Sequence, residues 1–172
     1  MDSVIDARDG NPALGGITFG GGFTAGSIRH RCVSSILVPV DFSPASLNAV
    51  QQAIALATEF NAALTLLHVI DLNAPADLGP AAECMTRLWR YGSEQMMGLA
   101  SSISRRIQIQ TQIQEGLPWS VIVEQSSAFD LIVLGREPTK RRAWRPFACH
   151  TAQRVMDRAA CPVLVVNQQD VS

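Results

Sequence analysis

Four short, almost unbroken apolar runs constrain this chain more than any other feature. They are SILVPV at 35–40, ALTLLHVI at 63–70, DLIVLG at 130–135 and CPVLVV at 161–166. A strand that faces water on one side alternates apolar and polar residues, whereas one covered on both faces is apolar throughout. Between the runs lie stretches with helical spacing. Strand and helix in alternation imply parallel strands joined by right-handed helical crossovers, so the chain reads as an open α/β sheet with helices on both faces.

The intervening segments carry their own punctuation. Ser43 followed by Pro44 reads as an N-cap and a first-turn proline. The helix they start places Ala49, Val50, Ala53, Ile54, Ala57 and Phe60 on one face, and Asn61 stops it. Two prolines and a glycine mark 71–80 as a loop. A longer helix is predicted over 81–104, burying Met85, Leu88, Trp89, Met96, Leu99, Ala100 and Ile103, with Met97 also assigned to the core. RIQIQTQIQ at 106–114 alternates strictly and predicts an edge strand with one polar face. Pro118 opens a short helix carrying Val121, Ile122 and Val123; residues 136–147 form a basic loop, and 148–160 a last helix.

Residues 1–31 differ from the rest. Gly15, Gly16, Gly20, Gly21, Gly22 and Gly26 make ordering entropically costly and predict a flexible tail, in which Ile17, Phe19 and Phe23 are candidates to dock on a neighbouring subunit. Residues 32–172 then form one domain. Net charge is −1, which excludes a general pull toward nucleic acid or anionic lipid. Charge is nonetheless uneven: residues 1–86 hold three basic and eight acidic side chains, 87–172 eleven and seven, so an anion-seeking surface belongs in the second half. Cys32, Cys84, Cys149 and Cys161 form no C-x-x-C pair, and no run reaches the length of a membrane span. The expectation is a cytoplasmic protein with reduced thiols.

In an open parallel sheet, ligands bind beyond the carboxyl ends of the strands where strand order reverses. Asp41 directly follows the first strand and Gly135 the strand at 130–134. If those strands are neighbours, both residues face one crevice, where a carboxylate suits ribose hydroxyls and a glycine admits a phosphate to the backbone. The competing role for Asp41 is to cap the adjacent helix. Cys149 and His150 are adjacent, about 100° apart on a helix, and cannot pair as nucleophile and base. With His68 they show no metal-ligand spacing.

ILVPVDFSPAS at 36–46, LTLLHVID at 64–71, DLIVLG at 130–135 and VMDRAACPVLVV at 155–166, in this order, resemble universal stress protein domains. The resemblance implies a five-stranded parallel sheet in the order 3-2-1-4-5, a Rossmann-type fold like that of adenine nucleotide hydrolases. It also implies a stress-response role and a homodimer through the terminal strand at 161–166. One branch of the family binds ATP, and the resemblance carries Val40 and Asp41 onto adenosine-binding positions and Gly135 onto the first glycine of a G-x-x-G…G-[ST] phosphate motif.

This chain departs from that motif. Arg136, Glu137 and Pro138 follow Gly135, so proline stands where the second glycine belongs, and Cys149-His150 replaces Gly-Ser ahead of Thr151. A proline offers no N–H to a phosphate and excludes positive φ. The expectation is therefore a non-enzymatic binding or regulatory protein without ATP in the usual mode and with no obligatory cofactor or metal. A slow ATPase activity is not excluded by these residues. The alternative is an ATP or AMP binder in which Arg136, Lys140, Arg141 and Arg142 hold phosphate by charge, with Thr151 beside them. A third reading is an oligomeric scaffold with a vestigial pocket. A protein partner fits the first, and nucleic acid or membrane fits none.

Overall fold

The computed structural model describes residues 32–71, 81–103, 107–136 and 148–167, without the side chains of 81–84 and 148–150. The expected tail at 1–31 and most of the basic loop lie outside these residues. Five strands, β1 (Ser35–Pro39), β2 (Ala63–Ile70), β3 (Ile109–Glu115), β4 (Leu131–Arg136) and β5 (Val163–Asn167), alternate with four helices. The helices are α1 (Pro44–Phe60), α2 (Ala81–Ser102), α3 (Pro118–Gln125) and α4 (Ala148–Arg158). All neighbouring strands pair in parallel, and the sheet order is β3-β2-β1-β4-β5. The strand order implied by the family resemblance is thus the observed one.

The apolar runs become strands because both faces of the sheet are covered. On one face Ile36, Val38, Val40, Leu64, Leu66 and Val133 pack beneath Ala49, Val50, Ala53 and Ala57 of α1 and Met96 of α2. On the other, Leu37, Leu67, Ile132 and Leu134 pack with Val121 and Ile122 of α3 and Val155 of α4. The central side chains of β1 have no exposed surface, so each removes its whole apolar area from water at roughly 25 cal/mol per Å². Among the described residues no helix is long and apolar enough to cross a membrane.

The termini of α1 match their sequence signals. Ser43 is the N-cap, its hydroxyl accepting from Ser46 N, and Pro44 opens the first turn. Asn61 adopts left-handed geometry with φ 52° and donates its N–H to Ala57 O. Three expected core side chains are exposed. Phe60 is the last residue of α1 and is 48% exposed; Met97, one residue from buried Met96, is turned about 100° away and is 70% exposed. Trp89 shares the face of Met96 but overhangs the sheet edge at β3, and its indole N–H donates to Glu115 Oε1. β3 is an edge strand as its polarity predicts, though it begins at Ile109 rather than 106.

At the amino end of the sheet, Asp130 ties β1 to β4. Its Oδ2 accepts from the N–H and hydroxyl of both Ser34 and Ser35, at 2.7–3.1 Å. The hydroxyl of Ser34 leads the causes that pull this carboxyl from 3.8 down to about 2, followed by its amide and by Ser35. A depressed carboxylate pKa contributes stability that is present above the unfolded value and lost as pH falls toward the folded one. Asp130→Asn should lower the urea midpoint at pH 7, and its deficit against wild type should narrow as pH drops from about 4 to about 2.

Candidate functional site

The crevice forms where the chain turns in opposite directions from two neighbouring strands. β1 leads outward through β2 to β3, and β4 outward to β5, so the switch point lies between β1 and β4. Their register runs only from Ile36↔Leu131 to Leu37↔Ile132, whereas β1 and β2 stay paired from Ser35↔Ala63 to Pro39↔Leu67. β1 and β4 therefore separate toward their carboxyl ends, where Asp41 and Gly135 sit.

Val40 is buried, and its backbone is held on both sides: its N–H donates to Leu67 O at 2.8 Å, and its carbonyl lies 2.7 Å from His68 Nδ1. Next, Asp41 is exposed. Its Oδ1 accepts from Ser43 N–H at 3.0 Å and Ser43 hydroxyl at 2.6 Å, which makes it a cap upon the N-cap of α1. Oδ2 makes no bond to any described residue. Between them and the helix, Phe42 takes φ 62°, a left-handed conformation that a bulky side chain rarely adopts. Its ring lies 4.8 Å from His68 and 6.2 Å from Tyr91, centroid to centroid. A Cβ on Gly92 would stand 2.9 Å from His68 Cδ2, so α2 approaches this imidazole only because a glycine faces it.

Gly135 meets backbone rather than open space. A Cβ there would lie 2.3 Å from Ala45 O, 2.4 Å from Ala45 C and 2.7 Å from Ser46 N. This glycine lets the first turn of α1 rest on the end of β4. The following Arg136 donates from Nε to Asn167 Oδ1 at 3.0 Å, and Asn167 O accepts from Asn48 Nδ2 at 3.3 Å. Arg136 is thereby tethered to the carboxyl end of β5, which α1 also meets through Asn48.

Comparison with known proteins agrees with this architecture. The universal stress protein family matches residues 33–167. A universal stress protein of Methanocaldococcus jannaschii is 32% identical over 140 residues, covering 77% of this chain and 81% of the relative. The chain belongs to the universal stress protein family. Among solved structures, the hypothetical protein MJ0577 superposes with TM-score 0.69 at 22% identity, over 81% of this chain and 99% of that one. A family protein from Arabidopsis thaliana, with AMP bound, gives TM-score 0.54 at 16% identity, over 80% and 93%.

In this universal stress protein, Val40, Asp41 and Gly135 come together around the start of α1, while Arg136 is directed to Asn167 of β5. Thr151 is half-buried in the opening turns of α4. Pro138, Lys140, Arg141 and Arg142 lie outside the described residues, as do the side chains of Cys149 and His150. Among the described residues no three His, Cys, Asp or Glu converge as a metal site. Sequence reasoning passed over the Phe42–His68–Tyr91 cluster. One signal was available, since an isolated glycine such as Gly92 inside a helix implies close packing. It also missed the bridge of Asn48 and Asn167, whose partners are 119 residues apart and leave no local pattern.

No rotamer change relieves a clash with backbone, so Gly135→Ala should force α1 off β4. The expected loss is about 3 kcal/mol, at the upper end for overpacking, read as a lowered urea midpoint. Gly98, with open space around it in α2, is the control: Gly98→Ala should raise stability by about 0.5–1 kcal/mol.

Proposed function

We propose that this universal stress protein is a regulatory binding module, acting as a homodimer in stress response and not gripping ATP in the usual mode. One observation carries the proposal. Gly135, the glycine that the family motif would present to phosphate, has its Cβ direction filled by the Ala45 and Ser46 backbone. The motif beyond it then places Pro138 and Cys149 where bare backbone donors are wanted. Asp41 remains available to a ribose through Oδ2, so the weakness lies on the phosphate side.

The competing reading is an ATP or AMP binder, as the AMP-bound Arabidopsis relative suggests. Arg136 favours it. Tethered through Nε to Asn167, its terminal nitrogens make no bond to any described residue, and a cation at the carboxyl end of the sheet suits a phosphate.

Thermal denaturation with added nucleotide separates the two. If Kd exceeds ~1 mM, 1 mM ATP adds less than about 0.4 kcal/mol through linkage, and Tm should barely move. Replacing Pro138 and Cys149 by glycine together should tighten ATP at least ~10-fold, or about 1.4 kcal/mol. A clear wild-type shift at sub-millimolar ATP that disappears in Asp41→Ala would reverse the ranking.

The dimer half of the proposal rests on β5. It is an edge strand whose Leu164 is 41% exposed, with Val163, Val165 and Val166 half-buried around it. An apolar edge of that kind is an aggregation hazard unless paired, and a twofold pairing protects it. Leu164→Glu should convert a dimer to monomer in sedimentation velocity, with the far-UV circular dichroism unchanged.

A further inference from the structure

On the sheet face away from α1, two arginines of α4 share one aromatic ring. The Cζ atoms of Arg154 and Arg158 lie 4.9 and 5.1 Å from the centroid of Trp119, on α3. Both arginines are exposed, and neither forms an ion pair with any described residue. The nearest carboxylates in sequence are engaged with neutral donors instead. Glu124 on α3 accepts from Ser120 hydroxyl at 3.0 Å, and Asp157, between the arginines on α4, accepts from Gln153 Nε2 at 2.9 Å.

This arrangement gathers two positive charges with no ion pair between them and a described carboxylate, although Asp157 keeps its charge beside them and Arg158 faces the carboxyl end of α4. Like charges four residues apart oppose a helix, and here both guanidinium groups are drawn further together by one ring. Since each Cζ is about 5 Å from the same centroid, the two are at most about 10 Å apart. Charge-assisted bonds of about 2.8 Å to two oxygens of one phosphate reach both groups when they share a side of the ring. Contact with the ring also restricts both side chains before a ligand arrives, which reduces the entropy lost on binding.

Trp119 itself points the same way. Its indole Nε1 is buried with no acceptor among the described residues. A phenyl ring would fill the position without stranding a donor. Indole is, however, the stronger platform for a cation, and its face is the part offered to the arginines.

We infer that Arg154 and Arg158, held on the face of Trp119, form a binding site for a phosphate dianion, either free or as the terminal group of a phosphomonoester. The site is separate from the Asp41–Gly135 crevice and needs neither residue.

The test uses the full chain labelled with 15N at pH 8, titrated with inorganic phosphate or O-phosphoserine against potassium chloride at matched ionic strength. Arginine Nε–Hε resonances, assigned through Arg154→Lys and Arg158→Lys, should shift together and saturate with one midpoint. Backbone amides of α3 and α4 should report the same midpoint in wild type and in Asp41→Ala. In R154Q/R158Q the apparent Kd read from those amides should rise at least ~10-fold. Binding of only one of the two ligands supports the site and identifies the source of the phosphate. Shifts reproduced by chloride, shifts that never saturate, or an unchanged midpoint in R154Q/R158Q would overturn it.

Discussion

The close backbone contact between Gly135 and the first turn of α1 sets the geometry on which the crevice depends. α1 starts at Pro44, five residues beyond the last residue of β1, so its first turn must cross toward β4 almost at once. A side chain at position 135 would hold the helix away, and the sheet face below would open to water at Val133 and Val38. The contact thus seals the core beneath the switch point. A phosphate loop would ask for the same residue at this position. One residue type satisfies either demand, which is why the glycine alone does not distinguish a nucleotide pocket from a packing contact.

A second constraint acts on the other side of the turn. Phe42 holds a left-handed backbone, a conformation that carries a penalty on the order of 1–3 kcal/mol and needs compensation nearby. Compensation comes from the two Ser43 bonds to Asp41 and from the contacts of the Phe42 ring with His68 and Tyr91. His68 is fixed in turn by the Val40 carbonyl, and Gly92 admits it under α2. The loop that carries Asp41 is therefore clamped from its own backbone and from α2. An exposed carboxylate on a clamped loop presents its remaining oxygen in a fixed direction, whatever it meets.

The sheet was legible in the sequence because burial on both faces leaves an unmistakable trace: no polar residue interrupts ILV in β1 or LIV in β4. The caps of α1 were legible because Ser43, Pro44 and Asn61 act locally. Burial of individual helical residues was less so. Met96 and Met97 are chemically identical, and only the docked orientation of α2 separates a buried thioether from an exposed one. Trp89 was misjudged because neither hydrophobicity nor the edge position of β3 reveals how far along that edge α2 places this side chain. At the site, Asp41 and Gly135 were found from their place after apolar runs, and the capping role of Asp41 was local enough to read, while the partners of Gly135, Ala45 and Ser46, are visible only once the helix is set on the strands.

Distribution of charge, more than its sum, governs what the surface can bind. A net charge of −1 spread evenly would attract nothing in particular. At physiological ionic strength fields decay over about 8 Å, so only arginines gathered within that distance act as one centre. Arg136 is tied to Asn167 at the end of the sheet, and Arg154 and Arg158 to Trp119 on a helix face. In both places a neutral partner fixes the cation without cancelling it, leaving the charge directed outward. Had carboxylates taken those positions, the second-half excess of arginine would be internal structure. Held by an amide and an indole, the charge of these three arginines is not spent on a described carboxylate.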